Sequence, residues 1–235
     1  MFRKWGHFPI QGQGIQTSEW VLIGTTLLLA AVAFLAPYII ERWKYKFYSA
    51  KLSFKFFHKP PYSHITQMGS PGFSAYYFRF KVINNGRVQA EQCEAVLERI
   101  WKENNVGKLK KFNGFSPISL KWTGPGMKKY FTIQPGREFF CDIGRIHHPD
   151  HELNSVYRSI TNEEKKQNKF FFESPEGKPY AQWDCLTPGK YQIQVTIYSK
   201  NAEKISRKFK VTWSGNWKDQ ESEMLNELVI SKKLR

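Results

Sequence analysis

Two periodicities divide this chain. From Trp20 to Ile40 the run WVLIGTTLLLAAVAFLAPYII carries 21 residues without a charge. A helix of that length rises about 31 Å, the thickness of a hydrocarbon core. Trp20 and Tyr38 fall near its two ends, where amphipathic rings settle at the membrane interface, and Glu19 and Glu41 bracket it. The pattern predicts a transmembrane helix at 20–40 behind a short polar tail at 1–19. Ala31-Val32-Ala33 resembles a signal cleavage site. The polar leader before the run is long and contains an acid, however, and the apolar run continues past Ala33, so the helix is expected to remain as an anchor.

Beyond the anchor the period changes to two. In Tyr76–Val82, residues Tyr76, Phe78, Phe80 and Val82 share one face while Tyr77, Arg79 and Lys81 share the other, as a half-buried strand requires. Tyr191–Ile197 alternates in the same way. A polar turn leads from it to Ile205–Trp213, where Phe209, Val211 and Trp213 align, so the two read as a hairpin. Further strands are expected at Leu52–Phe57, Phe115–Trp122, Glu138–Ile143 and Lys169–Phe172. Pro135-Gly136, Pro188-Gly189 and Asn84-Asn85-Gly86 supply turn chemistry between them. Ala90–Trp101 fits both a strand and a helical stripe; a strand following the Asn-Asn-Gly turn is favoured. Lys218–Leu234 carries Met224, Leu225, Leu228 and Val229 at helical spacing, which predicts a closing helix within 218–235.

Many short strands separated by such turns indicate an antiparallel sandwich. The expected organisation is therefore mainly β. A basic, aromatic juxtamembrane segment at 41–59 runs into the first strand, a β-sandwich spans 50–215 with an insertion near 147–168, and a short C-terminal helix follows. The run YFRFKVINNGRVQAEQCEAVL resembles the strand–turn–strand unit of bacterial and archaeal immunoglobulin-like accessory or adhesion domains. LTPGKYQIQVTIYSKNAEKISRKFKVTW is similar to their closing hairpin. The resemblance implies an immunoglobulin-like fold and a role in binding or spacing.

Charge narrows the partners. The chain has 36 Lys and Arg against 20 Asp and Glu, a net +16. Nearly all of that excess lies after the anchor and favours anionic lipid headgroups, nucleic acid or acidic protein faces. Near the helix, Arg42, Lys44, Lys46, Lys51, Lys55 and Lys59 follow it, while Arg3 and Lys4 precede it. The positive-inside rule then places the soluble domain in the cytoplasm, with an exported domain as the alternative. Those six cations, with Trp20, Tyr38 and Trp43, are the expected membrane-surface residues. Three widely spaced cysteines, Cys93, Cys141 and Cys185, suit reduced buried thiols; one bridge, from Cys185 to Cys93 or Cys141, stays open if the domain is exported.

Candidate chemistry is sparse. His147-His148-Pro149-Asp150-His151 is the densest group of potential metal ligands, with His147, Asp150 and His151 the candidates, but Pro149 breaks any helix that would align them. His58 and His64, beside Pro60-Pro61, read as loop residues. Lys121-Trp122 and Lys128-Lys129-Tyr130 interleave cations with rings, as anionic polymer surfaces do. The sequence contains no phosphate-binding loop, nucleophile elbow, zinc-protease motif or dinucleotide fingerprint, and no cofactor is expected. The leading expectation is a membrane-tethered, non-catalytic module that recognises a protein partner or senses at the membrane surface. A membrane-anchored binder of nucleic acid or another anionic polymer is the alternative, and a metal-dependent enzyme at the His147–His151 loop is third.

Overall fold

The computed structural model describes residues 17–67, 74–124, 128–150, 168–176 and 185–232. It divides into two compact units, residues 1–47 and residues 48–235. The first is helix α1, Thr17–Phe47, which overruns the predicted span at both ends. Within it Trp20–Lys44 is long and apolar enough to cross a membrane, with a mean hydropathy of 2.1 over its most apolar stretch. Its aliphatic side chains are exposed throughout. A bare hydroxyl would be costly on such a surface. Thr25 and Thr26 avoid this by donating to the Leu22 carbonyl oxygen at 2.9 and 2.8 Å.

The second unit is built from two antiparallel sheets. Strands β1 (Leu52–Lys55), β2 (Ser63–Gln67), β3 (Ser74–Asn84), β7 (Lys121–Trp122), β9 (Glu138–His147), β10 (Phe170–Phe172) and β11 (Cys185–Leu186) form the first. Strands β4 (Ala90–Glu103), β5 (Leu109–Lys111), β6 (Ile118–Ser119), β8 (Phe131–Ile133), β12 (Gly189–Tyr198), β13 (Ile205–Trp213) and β14 (Leu228–Lys232) form the second. The strand order β14-β13-β12-β4-β5 in the second sheet joins β4 to β12, which lie far apart in sequence. The alternation read from the sequence sets the packing. Tyr76, Phe78, Phe80 and Val82 of β3 turn inward, as do Ile193, Val195, Ile197, Phe209 and Val211 of the opposite sheet. Phe209 meets Phe78 and Phe80 at 5.9 and 6.4 Å between ring centres, so the two sheets share one aromatic core.

Several elements differ from the sequence expectation, each for a local reason. Phe115–Trp122 is not one strand: Ile118-Ser119 pairs with β4 and Lys121-Trp122 with β9, so the chain crosses between sheets at the buried Leu120. The predicted closing helix stops after seven residues, as α2 (Glu221–Glu227). From Leu228 the chain returns to period two, burying Leu228 and Ile230 beside Trp213 and Val211 and leaving Val229 outside. The open edge of β13 offers that segment a full set of backbone partners, which outweighs its helical spacing. His64 lies in β2, paired opposite Tyr77, rather than in a loop. All three cysteines are free and buried.

The turn at the end of β3 ties the sheets together. Asn84 is fully buried, and its Oδ1 accepts from the Lys51 and Gly86 amides at 3.2 and 2.9 Å. Its Nδ2 donates to the carbonyl oxygens of Val88 and Ile133 at 2.7 and 2.9 Å. Ile133 belongs to β8, in the opposite sheet. Gly86 permits the approach, because a Cβ there would lie 2.5 Å from the Lys51 nitrogen and the Ser49 oxygen. Removing the amide leaves two donors and two acceptors unpaired, the Ile133 carbonyl buried and the other three partly buried, at roughly 1 kcal/mol each. Asn84→Ala is therefore expected to lower unfolding stability by about 3 kcal/mol or more, read from the urea midpoint by tryptophan fluorescence. Asn85→Ala, whose Nδ2 bonds only the exposed Ser53 hydroxyl, should change it by under about 1 kcal/mol.

Candidate functional site

The outward faces of the two sheets are treated differently. On the first, Tyr77, Arg79 and Lys81 of β3 lie opposite Arg145, Asp142 and Phe140 of β9. Arg79 Nε stands 3.4 Å from Asp142 Oδ1, and Arg145 Nε 2.7 Å from Glu173 Oε1, with all four side chains largely buried. Asp142 also accepts from the Thr123 hydroxyl at 2.8 Å, and Arg145 donates to the Tyr77 hydroxyl at 2.9 Å. Arg79 lies over both the Tyr77 and Phe140 rings. Burial holds the Asp142 carboxyl above its ordinary range, with Arg79 pulling the other way. Each of these charges is matched by a neighbour. The face is a structural lattice.

That lattice includes His64. Arg79 Nη2 donates to His64 Nε2 at 3.2 Å, which requires a neutral imidazole. Burial, then Arg79, lowers the His64 pKa from its ordinary value of 6.5.

The sequence candidates fall in separate places. Trp122 is 2% exposed and packs in the core, so its ring is closed to a ligand. Lys121 lies opposite Asp142 in the β7–β9 pairing. Lys129 is held by Glu176 at 2.8 Å and Glu94 at 3.5 Å, while Lys128 is exposed. These four residues therefore do not assemble into one anion-binding surface; the alternation that looked like an interleaved patch puts Trp122 inward. His147 is not in a loop: it ends β9, 1% exposed, with its ring against Phe171. Asp150 is exposed, whereas His151 and most of the insertion near 147–168 lie outside the described residues. Among the described residues no group of three potential metal ligands converges. Trp20, Tyr38, Arg42, Trp43, Lys44 and Lys46 all lie on α1, whereas Lys51, Lys55 and Lys59 belong to the second unit. The segment 41–59 is thus helix in its first part and strand-forming domain in its second.

The second sheet presents the open surface. Its outward side chains register across strands: Thr212 opposite Lys190, Lys210 opposite Gln192, and Lys208 opposite Gln194. Gln192 and Gln194 in turn face Trp101 and Arg99 of β4, and Trp101 faces Lys111 of β5. The result is a flat array of amides edged by cations. Arg99, Lys111, Lys208 and Lys210 are exposed, and none of them makes an ion pair with another described residue. Lys208 Nζ lies 5.2 Å from the Trp101 ring centre. Lys190 is 3.6 Å from Glu103.

A groove of about 400 Å³ opens on this face, lined by Glu103, Leu109, Lys190, Gln192, Lys210 and Thr212 among others. Gln192 is 4% exposed, and its Oε1 is buried with no hydrogen-bond partner among the described residues. An unmatched buried acceptor costs about 1–3 kcal/mol, so it stands out on an otherwise satisfied sheet. Sequence reasoning identified the hairpin that carries Lys208 and Lys210 but used only its apolar half. The signal was the other half, because the outward positions of ISRKFKVTW and QIQV are cations and amides.

The chain matches no protein-family model and no curated protein.

The His64 geometry sets a pH dependence. Its folded pKa lies below its unfolded value, so the stabilisation is full above about pH 6.5 and is lost as pH falls through the folded value. Asp142 contributes with the opposite sign, since its folded pKa is raised. The urea midpoint of the wild-type protein is expected to drop between neutral pH and about pH 5, and that drop should shrink in His64→Gln.

Proposed function

We propose that this chain is a membrane-tethered, non-catalytic binding module whose recognition surface is the outward face of the second sheet. The sandwich acts as an immunoglobulin-like accessory domain, and α1 holds it to the bilayer as a single-pass anchor. Arg42, Lys44 and Lys46 lie beside anionic headgroups on the cytoplasmic side, in keeping with the excess of cations that follows the span. The observation that carries the reading is the contrast in charge pairing between the two faces. One pairs Arg79 with Asp142 and Arg145 with Glu173, while the other leaves Arg99, Lys111, Lys208 and Lys210 exposed with no ion pair to a described residue, Lys210 on the lining of the groove. A sheet face held by long ladders on a shared core is a rigid backbone platform, which fixes the spacing of the side chains an arriving partner meets.

A photo-cross-linking residue in place of Gln194, in the full-length protein in its own membrane, tests this. The expected outcome is a discrete adduct that disappears when Lys208 and Lys210 are both changed to Glu. A photo-residue at Glu203, exposed in the turn between β12 and β13 and away from the groove, serves as a surface control. If Gln194 and Glu203 give the same diffuse products, the face is not a recognition surface.

A further inference from the structure

We infer that the groove on the second sheet takes a nucleotide unit of a single-stranded nucleic acid, with the flanking phosphates lying on the exposed cations. The inference rests on the reading of this face as the recognition surface and adds the chemistry of what it recognises.

The groove sorts its polar groups by kind. Lys190 and Lys210 stand on its lining as cations, while Gln192 Oε1 and the Glu103 carboxylate are acceptors. A ligand that matches both must carry a negative group and, within a few ångströms of it, an N–H or O–H donor. A nucleotide does so, through its phosphate and the exocyclic amine of cytosine, adenine or guanine. The buried Gln192 acceptor is the independent observation: no described residue supplies its donor, and a turn of the amide about its terminal torsion would present Oε1 to the groove that Gln192 lines. A volume of about 400 Å³ falls within the range of small-ligand pockets and accommodates one such unit.

The cations beyond the groove favour a strand over a lone nucleotide. Lys208 and Lys210 alternate along β13, about 7 Å apart on one face, comparable to the phosphate repeat of an extended strand. Arg99 and Lys111 continue the charge across β4 and β5. Trp101 lies between them with Lys208 over its ring, a place where a base can stack once the flexible ammonium moves onto a phosphate. A duplex fits less well, because its base edges are paired and its bases cannot enter a groove. The acidic pair Glu94 and Glu98 lies toward the other end of β4 and sets a boundary, so the track runs across the Lys208–Lys111 half of the face.

The test uses the full chain in bilayer discs of neutral lipid, with a fluorescent oligodeoxycytidine of about 12 nucleotides read by anisotropy. Binding is expected to weaken with salt, with a log–log slope of about −3, at roughly 0.7 per phosphate held. Lys208→Gln with Lys210→Gln should reduce that slope by about 1.4. Gln192→Leu should leave the slope unchanged but erase the preference for oligodeoxycytidine over an oligomer of N4,N4-dimethylcytosine, whose ring carries no N–H donor, and circular dichroism would verify that each variant keeps the wild-type sheet content. Absence of binding, a slope unaffected by the double substitution, or equal affinity for a duplex of the same length would overturn the inference. So would cytidine monophosphate competing as well as the oligonucleotide, since it would make the ligand a free nucleotide. The Gln194 adduct separates the two readings. Nuclease sensitivity supports a strand, a nuclease-resistant adduct whose added mass yields peptides foreign to this chain overturns the strand but leaves a recognition face, and no discrete adduct overturns both.

Discussion

The side chain of Asn84 is the point on which both sheets depend. A sandwich needs its layers held in one register as well as pressed together, and apolar packing alone tolerates sliding. Asn84 supplies direction. One buried amide bonds the entry to β1, its own turn, the chain beyond the turn, and β8 of the opposite sheet. Each of its polar positions is used, so the network has one arrangement rather than several. With the turn fixed, β3 leaves the core at a set level. Its Tyr76–Val82 face then meets Phe209 and Val211 in a single alignment.

That alignment decides what the outer faces can be. Because side chains alternate along a strand, choosing the inner face of β3 and β13 also chooses the outer one. On the first sheet, the outer Arg79, Lys81 and Arg145 are paired with Asp142, Glu138 and Glu173 beside aromatic rings, and they close upon themselves. On the second, the outer residues are cations and amides with Glu103 the acid on the groove lining, and they remain open to solvent. The same geometric rule therefore yields a stabilising lattice in one place and an open, cationic surface in the other. The difference lies in which residues fill the outward positions.

Much of this was legible in the sequence where the alternation was long. Tyr76–Val82, Tyr191–Ile197 and Ile205–Trp213 are strands, the last with the bounds read from the pattern, and Ala90–Trp101 is the strand that follows its turn. The apolar helix near Trp20–Ile40 was equally clear from its length. Legibility failed where the period depends on a distant partner. Leu228–Lys232 carries both spacings, and only the vacant edge of β13 selects the strand. Ile118–Trp122 looks continuous because nothing local reveals that its halves join different sheets. The outward row on the second sheet was hidden for a related reason. Adjacent cations and rings in sequence, such as Lys121-Trp122, point to opposite sides of a strand, whereas Lys210, Gln192, Trp101 and Lys111 come from four strands and meet in one row.

The pairing of β4 with β12 has a consequence for how the protein comes into being. When β1 through β9 have been synthesised, the aromatic face of β3 exists but most of its cover does not, because β12 and β13 are still to be translated. For that interval the nascent chain exposes Phe78 and Phe80 to the cell. Non-local closure of this kind is slow and leaves apolar surface available for misassociation. The half-built sandwich is therefore the state in which this domain is most open to misassociation.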